Sequence, residues 1–510
     1  MPHYCGVQPE HIAELIGDTN GVRTKGLGTI SKISDEAVLN ILGFLDARSL
    51  AILQSVSKAL YCFCNHEELW KALVLQEFAG HWEFQGTWQD TYLASKAVLQ
   101  QTNNKNAAAN AAVKNLKDKP RTYHPVSHFY SDLLHQSWLC ATLEVDPTWL
   151  EVENIDRRSN LSIEEFKIQY ERQNRPVILT DIVTKWPAMQ KWSRSYLQKA
   201  FKNGSVIVGD APMKFEAYCR YADSQQDELP LYLFDKEFIK TAPQLVKDYF
   251  VPEHFSEDLF SVLGEEARPD YRWLIAGPHK SGSTWHQDPN QTCAWNAVVA
   301  GSKRWILYPP STQPPGVRRS ADGADVSCPV SVMEWYLSFY QFKDANGINP
   351  LECTVRAGEV LFVPRGWWHA VLNLEESIAV TQNYVCAANL DHVLTFLGSP
   401  HADVLVSGVH SEEERVTLHD RFLAALWKER SEVVMRLKIE REEKKKKYEA
   451  DTKLALCFKV DQKAPTTTAG ASTTSPPIEA TLSLDNEDKS CDARSNGNGF
   501  SFQFDFGAAS

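Results

Sequence analysis

The chain has 510 residues, 53 Lys and Arg against 65 Asp and Glu, and a net charge of −12 at pH 7, with 43% hydrophobic and 11% aromatic residues. At roughly 150 residues per domain this length makes about three units, and the apolar content excludes a wholly disordered or fibrous chain. The acidic balance excludes a surface that is basic all over, which non-specific nucleic-acid binding needs, and leaves room for a local basic groove at most. Residues 1–29 hold no basic region followed by an apolar run, and no stretch of about 18 apolar residues occurs, so neither a secretory leader nor a membrane span is expected. The 11 cysteines are an odd number, without a C-x-x-C pair, and only Cys62 and Cys64 lie close together. They point to a reducing intracellular compartment, nuclear or cytoplasmic, and to neither a zinc module nor a disulfide framework.

From residue 30 to 80 the pattern is helical. Ser34 is an expected N-cap with Asp35 and Glu36 in the first turn, and Val38, Ile41, Leu42 and Leu45 recur on one helical face. A second helix carries Leu50, Leu53 and Val56, and a third carries Leu69, Trp70, Leu73 and Val74. Three short helices make a small core, which leaves apolar surface for a partner. The run ISDEAVLNILGFLDARSLAILQSVSKALYCFCNHEELWKALVLQEF, with its acidic start, L-D-x-x-S-L turn and E-x-L-W closing helix, resembles an F-box. At Ala47 it lacks the proline that is frequent in that turn. The resemblance implies a Skp-type adaptor of a cullin ubiquitin ligase as partner.

Residues 81–125 read as a helical and low-complexity linker, because QQTNNKNAAANAAVKNLKDK has no apolar period. Residues 126–398 change character to short β-branched and aromatic runs such as PVIL, RWILY and VLFV, punctuated by turn residues, which predict many short strands. Residues 399–460 form a helical extension that Ser411 and Glu414 open as a capping box, with Leu418, Phe422, Leu426, Val433, Val434 and Leu437 on one side. Its charged run ends in Lys444 to Lys447, a solvated helix end or an import or nucleic-acid signal. Residues 461–510, rich in Thr, Ser, Pro, Gly and Asn, are expected to be disordered, apart from the alternating Phe500, Phe502, Phe504 and Phe506, which suit equally a docking strand for a partner or for the chain's own sheet and an unpaired sticky end.

The chemistry concentrates in SGSTWHQDPNQTCAWNAVVAGSKRWILYPP. His286 and Asp288 are two apart, so on an extended strand both project from one face. They supply two ligands of the 2-His-1-carboxylate triad that binds non-haem Fe(II) with open positions, and His369 in LFVPRGWWHAVLNL is the natural third. A second H-x-D, His401 and Asp403, follows Ser399-Pro400 and reads as a surface turn. An oxygenase of this kind holds 2-oxoglutarate by its far carboxylate, and Lys303, set between Gly301 and Trp305 in an apolar strand, can do so by a charge-assisted hydrogen bond. Thr381 and Asn383 share a face of the strand SIAVTQNYV and can complete that pocket.

Residues from about 161 to 386 resemble the JmjC oxygenases, most closely the branch of bifunctional arginine demethylases and lysyl hydroxylases. The resemblance rests on MKFEAYCRY, ELPLYLFD, YRWLIAGPHKSGSTWHQDP, TCAWNAVVAGSKRWILYPP and FVPRGWWHAVLNLEESIAVTQNYV. It implies a mainly β fold, the double-stranded β-helix or jelly roll of the cupin-like JmjC class, between the F-box and a C-terminal helix. It further implies His286, Asp288 and His369 as iron ligands, Lys303 as the cosubstrate lysine, and Asn296, Thr381, Tyr232 and Asn373 as further residues of the 2-oxoglutarate pocket. Where the branch has Thr-Gly-x-His, this chain has Ser283-Thr284-Trp285-His286, so Trp285 is expected to add bulk near the metal. Trp273, Trp295, Trp367 and Trp368 join it as candidates for shielding the site.

The implied activity is a dioxygenase using Fe(II), 2-oxoglutarate and O2, which hydroxylates lysyl side chains or hydroxylates and so removes N-methyl groups. Two alternatives are a non-catalytic substrate receptor of a ubiquitin ligase and a tRNA or small-molecule hydroxylase. The complete ligand set argues against the first, and the lack of a dense basic stripe counts against RNA. A protein substrate and no membrane partner are expected.

Overall fold

A computed structural model describes residues 2–18, 21–103, 121–209, 211–320, 323–345 and 347–461. Most of the linker run after Asn103 and all of the tail after Asp461, with its alternating phenylalanines, lie outside the described residues. No helix among the described residues is long and apolar enough to cross a membrane. The chain divides into two bodies, one reaching Leu423 and one beginning at Ala424.

Within the first body, the F-box region folds as four helices where three were expected: α1 (Asp35–Gly43), α2 (Ala47–Leu53), α3 (Lys58–Cys64) and α4 (Glu67–Phe78). Ser34 caps α1 by accepting from the Ala37 amide, and Asp46 caps α2 through Ser49. The second expected helix stops at Leu53, because Ser57 is itself an N-cap, accepting from the Leu60 amide and starting α3. Val56 therefore lies in a turn and is exposed. A fifth helix, α5 (Trp88–Asn103), packs on α4. Residues buried beneath these helices, among them Phe63, Trp70, Val74 and Trp88, share one apolar cluster with Tyr218 and Tyr221, so the F-box is continuous with the core that follows.

The β part consists of β1 (Arg157–Arg158), β2 (Val177–Leu179), β3 (Val206–Val208), β4 (Ala211–Met213), β5 (Leu233–Asp235), β6 (Arg272–Gly277), β7 (Gly282–His286), β8 (Cys293–Ala300), β9 (Ser302–Tyr308), a small hairpin of β10 (Arg318–Arg319) and β11 (Val326–Ser327), β12 (Leu351–Arg356), β13 (Val360–Val363), β14 (Trp368–Asn373) and β15 (Ser377–Tyr384). A nine-stranded sheet runs β1-β2-β13-β8-β15-β6-β5-β3-β4, and a four-stranded sheet runs β12-β9-β14-β7. All pairings in them are antiparallel except β1 with β2. The inner faces meet in a cluster that joins Ala294, Val298, Leu361 and Val363 of the large sheet to Trp305, Leu307, Val355 and Val371 of the small one. This is the jelly-roll arrangement, with two inward faces alternating against two outward ones.

Both outer faces are covered, which explains why these strands are apolar almost throughout rather than alternating. Trp295, Phe362, Val380 and Tyr384 point from the large sheet into the cluster shared with the F-box helices. Ile306, Tyr308, Ala370 and Leu372 point from the small sheet onto Trp335 and Tyr336 of the helix Val332–Ser338.

Toward the C-terminus, Ser411 accepts from the Glu414 amide while the Glu414 carboxylate accepts from the Ser411 amide, the expected capping box of the helix Glu412–Glu429. Leu418 and Phe422 are buried, and the Phe422 ring lies 4.6 Å from that of Phe260. The second body holds the end of that helix and the helix Ser431–Asp461, on which Lys444 to Lys447 are exposed.

Candidate metal and cosubstrate site

Between the two sheets lies a cavity of about 50 Å³, lined among others by His286, Asp288, His369, Lys303, Asn296, Thr381 and Tyr232. Strand register brings these residues together. His286 is directly paired with His369 across β7 and β14, Asn373 with Lys303 across β14 and β9, and Thr381 with Asn296 across β15 and β8. The small sheet thus supplies both imidazoles and the lysine, and the large sheet supplies the facing hydroxyl and amide. Tyr232, one residue before β5, closes the end near Lys303. Asn373 stands behind that end, bonded to Lys303 rather than lining the space.

The two imidazoles are oriented alike. Nδ1 of His286 lies 2.7 Å from the Thr284 carbonyl, and Nδ1 of His369 lies 3.0 Å from the Trp367 carbonyl. A carbonyl only accepts, so each Nδ1 carries the proton and each Nε2 offers its lone pair to the cavity. Burial lowers both pKa values to about 4, for His286 with help from the neighbouring His369, so both rings are neutral near pH 7. The Trp305 ring stacks on His369 at 5.6 Å and limits its rotation.

Burial raises Asp288 to about 6. Its Oδ1 accepts a long, 3.4 Å hydrogen bond from the Asn383 amide, and its Oδ2 is buried without a hydrogen-bond partner. The turn presenting it is strained, since Asn290 and Gln291 both have positive φ, 55° and 59°. Such a pair costs roughly 1–2 kcal/mol per residue and needs outside support. Asn290 receives it through reciprocal hydrogen bonds with the Ser407 backbone, and the Gln291 carbonyl accepts from the Asn389 amide.

One ligand atom each from His286, Asp288 and His369 lies within 4.8 Å of the other two, and no other group of this kind occurs among the described residues. Two neutral nitrogens and one carboxylate, whose Oδ2 is buried without a hydrogen-bond partner, match the donor set of non-haem Fe(II) with open positions. His401 and Asp403, by contrast, are exposed at the start of a four-residue helical turn, in keeping with their reading as surface.

Lys303 is fully buried with no carboxylate beside it. Its Nζ donates to the Tyr232 hydroxyl at 2.8 Å and to Asn373 Oδ1 at 2.7 Å, and burial pulls its pKa down to about 7. Asn373 in turn donates to Ser281 Oγ at 2.8 Å. Asn296 Oδ1 is another buried atom without a partner, while the Thr381 hydroxyl donates to the Trp295 carbonyl. When protonated, Lys303 is a buried cation whose two side-chain hydrogen-bond partners are both neutral, a costly arrangement unless an anion joins it.

Trp285 corrects an expectation. It does not crowd the metal ligands, because side chains alternate along a strand and it points to the opposite face from His286, against Trp335 at 5.0 Å and Tyr308 at 5.6 Å. A bulge in β7, where His286 to Ser283 spans three residues against two on β14, lets Ser283 and His286 both face the cavity. Of the tryptophans named from sequence, Trp273 lines the cavity and the other four do not. Trp305, Phe234 and Ile275 are wall residues that sequence reasoning missed. Trp305 was within reach of it, since it stands two residues from Lys303 and so shares its face.

Family comparison agrees with this geometry. A cupin-like domain family matches residues 163–387, and an F-box-like family matches residues 35–76. The chain is 47% identical over 444 residues to the arginine-specific demethylase JMJ22 of Arabidopsis thaliana, covering 87% of this chain and 85% of that protein. The chain belongs to the JmjC oxygenases. Within that family it is also 34% identical over 291 residues to the bifunctional arginine demethylase and lysyl-hydroxylase psr-1 of Caenorhabditis elegans, covering 53% of this chain and 72% of psr-1. A third relative, the 2-oxoglutarate and iron-dependent oxygenase JMJD4 of Danio rerio, is 34% identical over 171 residues, 33% of this chain and 39% of JMJD4.

Proposed function

We propose that this JmjC enzyme hydroxylates protein side chains or removes N-methyl groups from arginine or lysine, using Fe(II), 2-oxoglutarate and O2. The observation that carries the reading is the trio of uncommitted donor atoms on His286, Asp288 and His369, with a buried, anion-less lysine in the same cavity. His286, Asp288 and His369 would hold the iron. When bound, the iron would supply a centre at which O2 is the oxidant, 2-oxoglutarate gives two electrons on decarboxylation to succinate and carbon dioxide, and the C–H bond gives the other two, one oxygen atom passing to succinate and one to the C–H carbon; a hydroxylated N-methyl group then leaves as formaldehyde.

The remaining work falls to the chain's own groups. Lys303, charged when an anion is present, receives the far carboxylate, with Tyr232 and Asn373 fixing its ammonium group. Asn296 and Thr381 face it from the large sheet, and Trp273, Ile275 and Trp305 keep water out.

The F-box reading adds a Skp-type adaptor. It is supported by apolar side chains that the fold leaves in solvent on α1, α2 and the turn after them: Ile41, Phe44, Ile52 and Val56, with Phe44 84% exposed. Such a group on one small domain suits a protein interface.

Substrate capture by full-length Asp288→Ala protein, followed by mass spectrometry of the captured proteins after treatment with the wild type, tests the reading. Gain of one oxygen atom identifies a hydroxylase and loss of a methyl group a demethylase. Captured proteins left chemically unchanged would contradict both.

A further inference from the structure

A buried polar cluster outside the site joins the F-box to the segment that carries Tyr232. Lys71 of α4 is only 1% exposed. An ammonium group has three donors, and Lys71 has three acceptors: Glu68 Oε1 at 3.2 Å, Asp227 Oδ2 at 3.2 Å and the Leu229 carbonyl at 2.8 Å. Glu68 belongs to the F-box, but Asp227 and Leu229 lie more than 150 residues away, in a stretch after the helix Phe215–Ser224 that has neither helix nor ladder bonds of its own until β5.

Asp227, Leu229 and Leu231 in that stretch are held by side chains. Asp227 accepts from Trp88 Nε1 at 2.8 Å and from the Tyr221 hydroxyl at 2.6 Å. The Tyr221 hydroxyl accepts from the Leu231 amide at 2.8 Å, and the single proton of the Tyr218 hydroxyl lies between the Ala276 carbonyl at 2.9 Å and the Leu231 carbonyl at 3.1 Å. The next residue is Tyr232, whose hydroxyl meets Lys303 and whose ring rests on Gly277, where a Cβ would come within 2.6 Å of it. Two of the pins, Lys71 and Trp88, come from the N-terminal helices.

We propose that Lys71 is a positioning residue for the cosubstrate pocket: it fixes residues 227–231 so that the Tyr232 hydroxyl and Lys303 stay in register. The F-box is then part of the oxygenase as well as a docking module, and a load on the F-box is felt at 2-oxoglutarate. This rests on the reading of Lys303 and Tyr232 as cosubstrate residues.

The test compares full-length wild type with Lys71→Met, which keeps the length of the side chain and removes its donors. Amide hydrogen exchange is followed in protein without metal, and 2-oxoglutarate is titrated into protein loaded with Fe(II) under anaerobic conditions. Faster exchange confined to residues 227–232, with β9 and β14 unchanged, is expected, together with 2-oxoglutarate binding weakened roughly 2- to 30-fold, the span of modulations seen through coupled networks. Unchanged exchange and affinity overturn the proposal, and so does an increase spread over the whole chain, which marks a merely structural role. If Lys71→Met does not fold, the isosteric Asp227→Asn decides by the same two readouts. Lys303→Ala is titrated beside them. Undiminished affinity there sinks the cosubstrate reading, while the exchange pattern still judges the link from Lys71.

Discussion

Replacing Lys303 by Met separates what the lysine does for the fold from what it does for the ligand. In the free protein its pKa is held near 7 by burial, against an ordinary 10.5. At 1.36 kcal/mol per pKa unit, keeping this group inside costs on the order of 5 kcal/mol. The sign follows from proton counting: the unfolded chain binds the proton more tightly, so the cost is full below about pH 7 and fades as pH rises toward the ordinary lysine value. Methionine removes that cost and forfeits two hydrogen bonds to neutral acceptors, Tyr232 and Asn373, worth about 1 kcal/mol each. Lys303→Met is therefore expected to melt no lower than wild type at pH 7, and its advantage should shrink at pH 9. Binding should respond the opposite way. Loss of one partner from a buried charge-assisted contact costs roughly 2–5 kcal/mol, about 30- to 4,000-fold in the Kd for 2-oxoglutarate. Anaerobic calorimetry with Fe(II) and a thermal melt at each pH give both numbers. A variant that melts lower but binds 2-oxoglutarate as well as wild type would refute the reasoning, because Lys303 would then be a structural lysine.

Phe44→Asp should abolish co-purification of a Skp-type adaptor while leaving the melting temperature within a few degrees, since the side chain is exposed; retained adaptor would remove this face from the interface. Deleting the F-box is a poorer test, because its helices share the core of the β domain. Trp285→Ala should cost about 3–5 kcal/mol in urea unfolding, whereas Trp285→Phe should leave the KM for 2-oxoglutarate unchanged, because the ring packs away from the cavity; a large rise in KM would bring Trp285 back to the site. Metal affinity should fall up to about tenfold per pH unit below about pH 6, as Asp288 takes up a proton, and level off above it, where the imidazoles are already neutral. A flat profile from pH 5 to 7 would show that Asp288 is not a ligand.

Much of the site was legible because strand geometry is periodic. His286 and Asp288 at spacing two, Lys303 in an apolar strand and His369 after a Pro-Gly turn each carry a local signal, and the fold brings all four to one cavity. The same periodicity, applied one residue further, would have turned Trp285 outward and Trp305 inward. The bulge that lets Ser283 join His286 had no signature in sequence, since it depends on the partner strand. Division of the F-box into four helices turned on Ser57, one of two closely spaced serines either of which could have been read as part of a continuing helix. Least legible was the Lys71 cluster, for nothing in α4 says that its lysine will meet Asp227 and Leu229, far along the chain.

The proposed iron centre of His286, Asp288 and His369 consumes 2-oxoglutarate. Succinate formation by the purified full-length chain, measured with and without Fe(II) and repeated for His286→Ala and Asp288→Ala, tests it most directly. Iron-dependent succinate is expected from the wild type and none above background from either variant. Equal turnover in the variants, or turnover by the wild type that does not need iron, would contradict it.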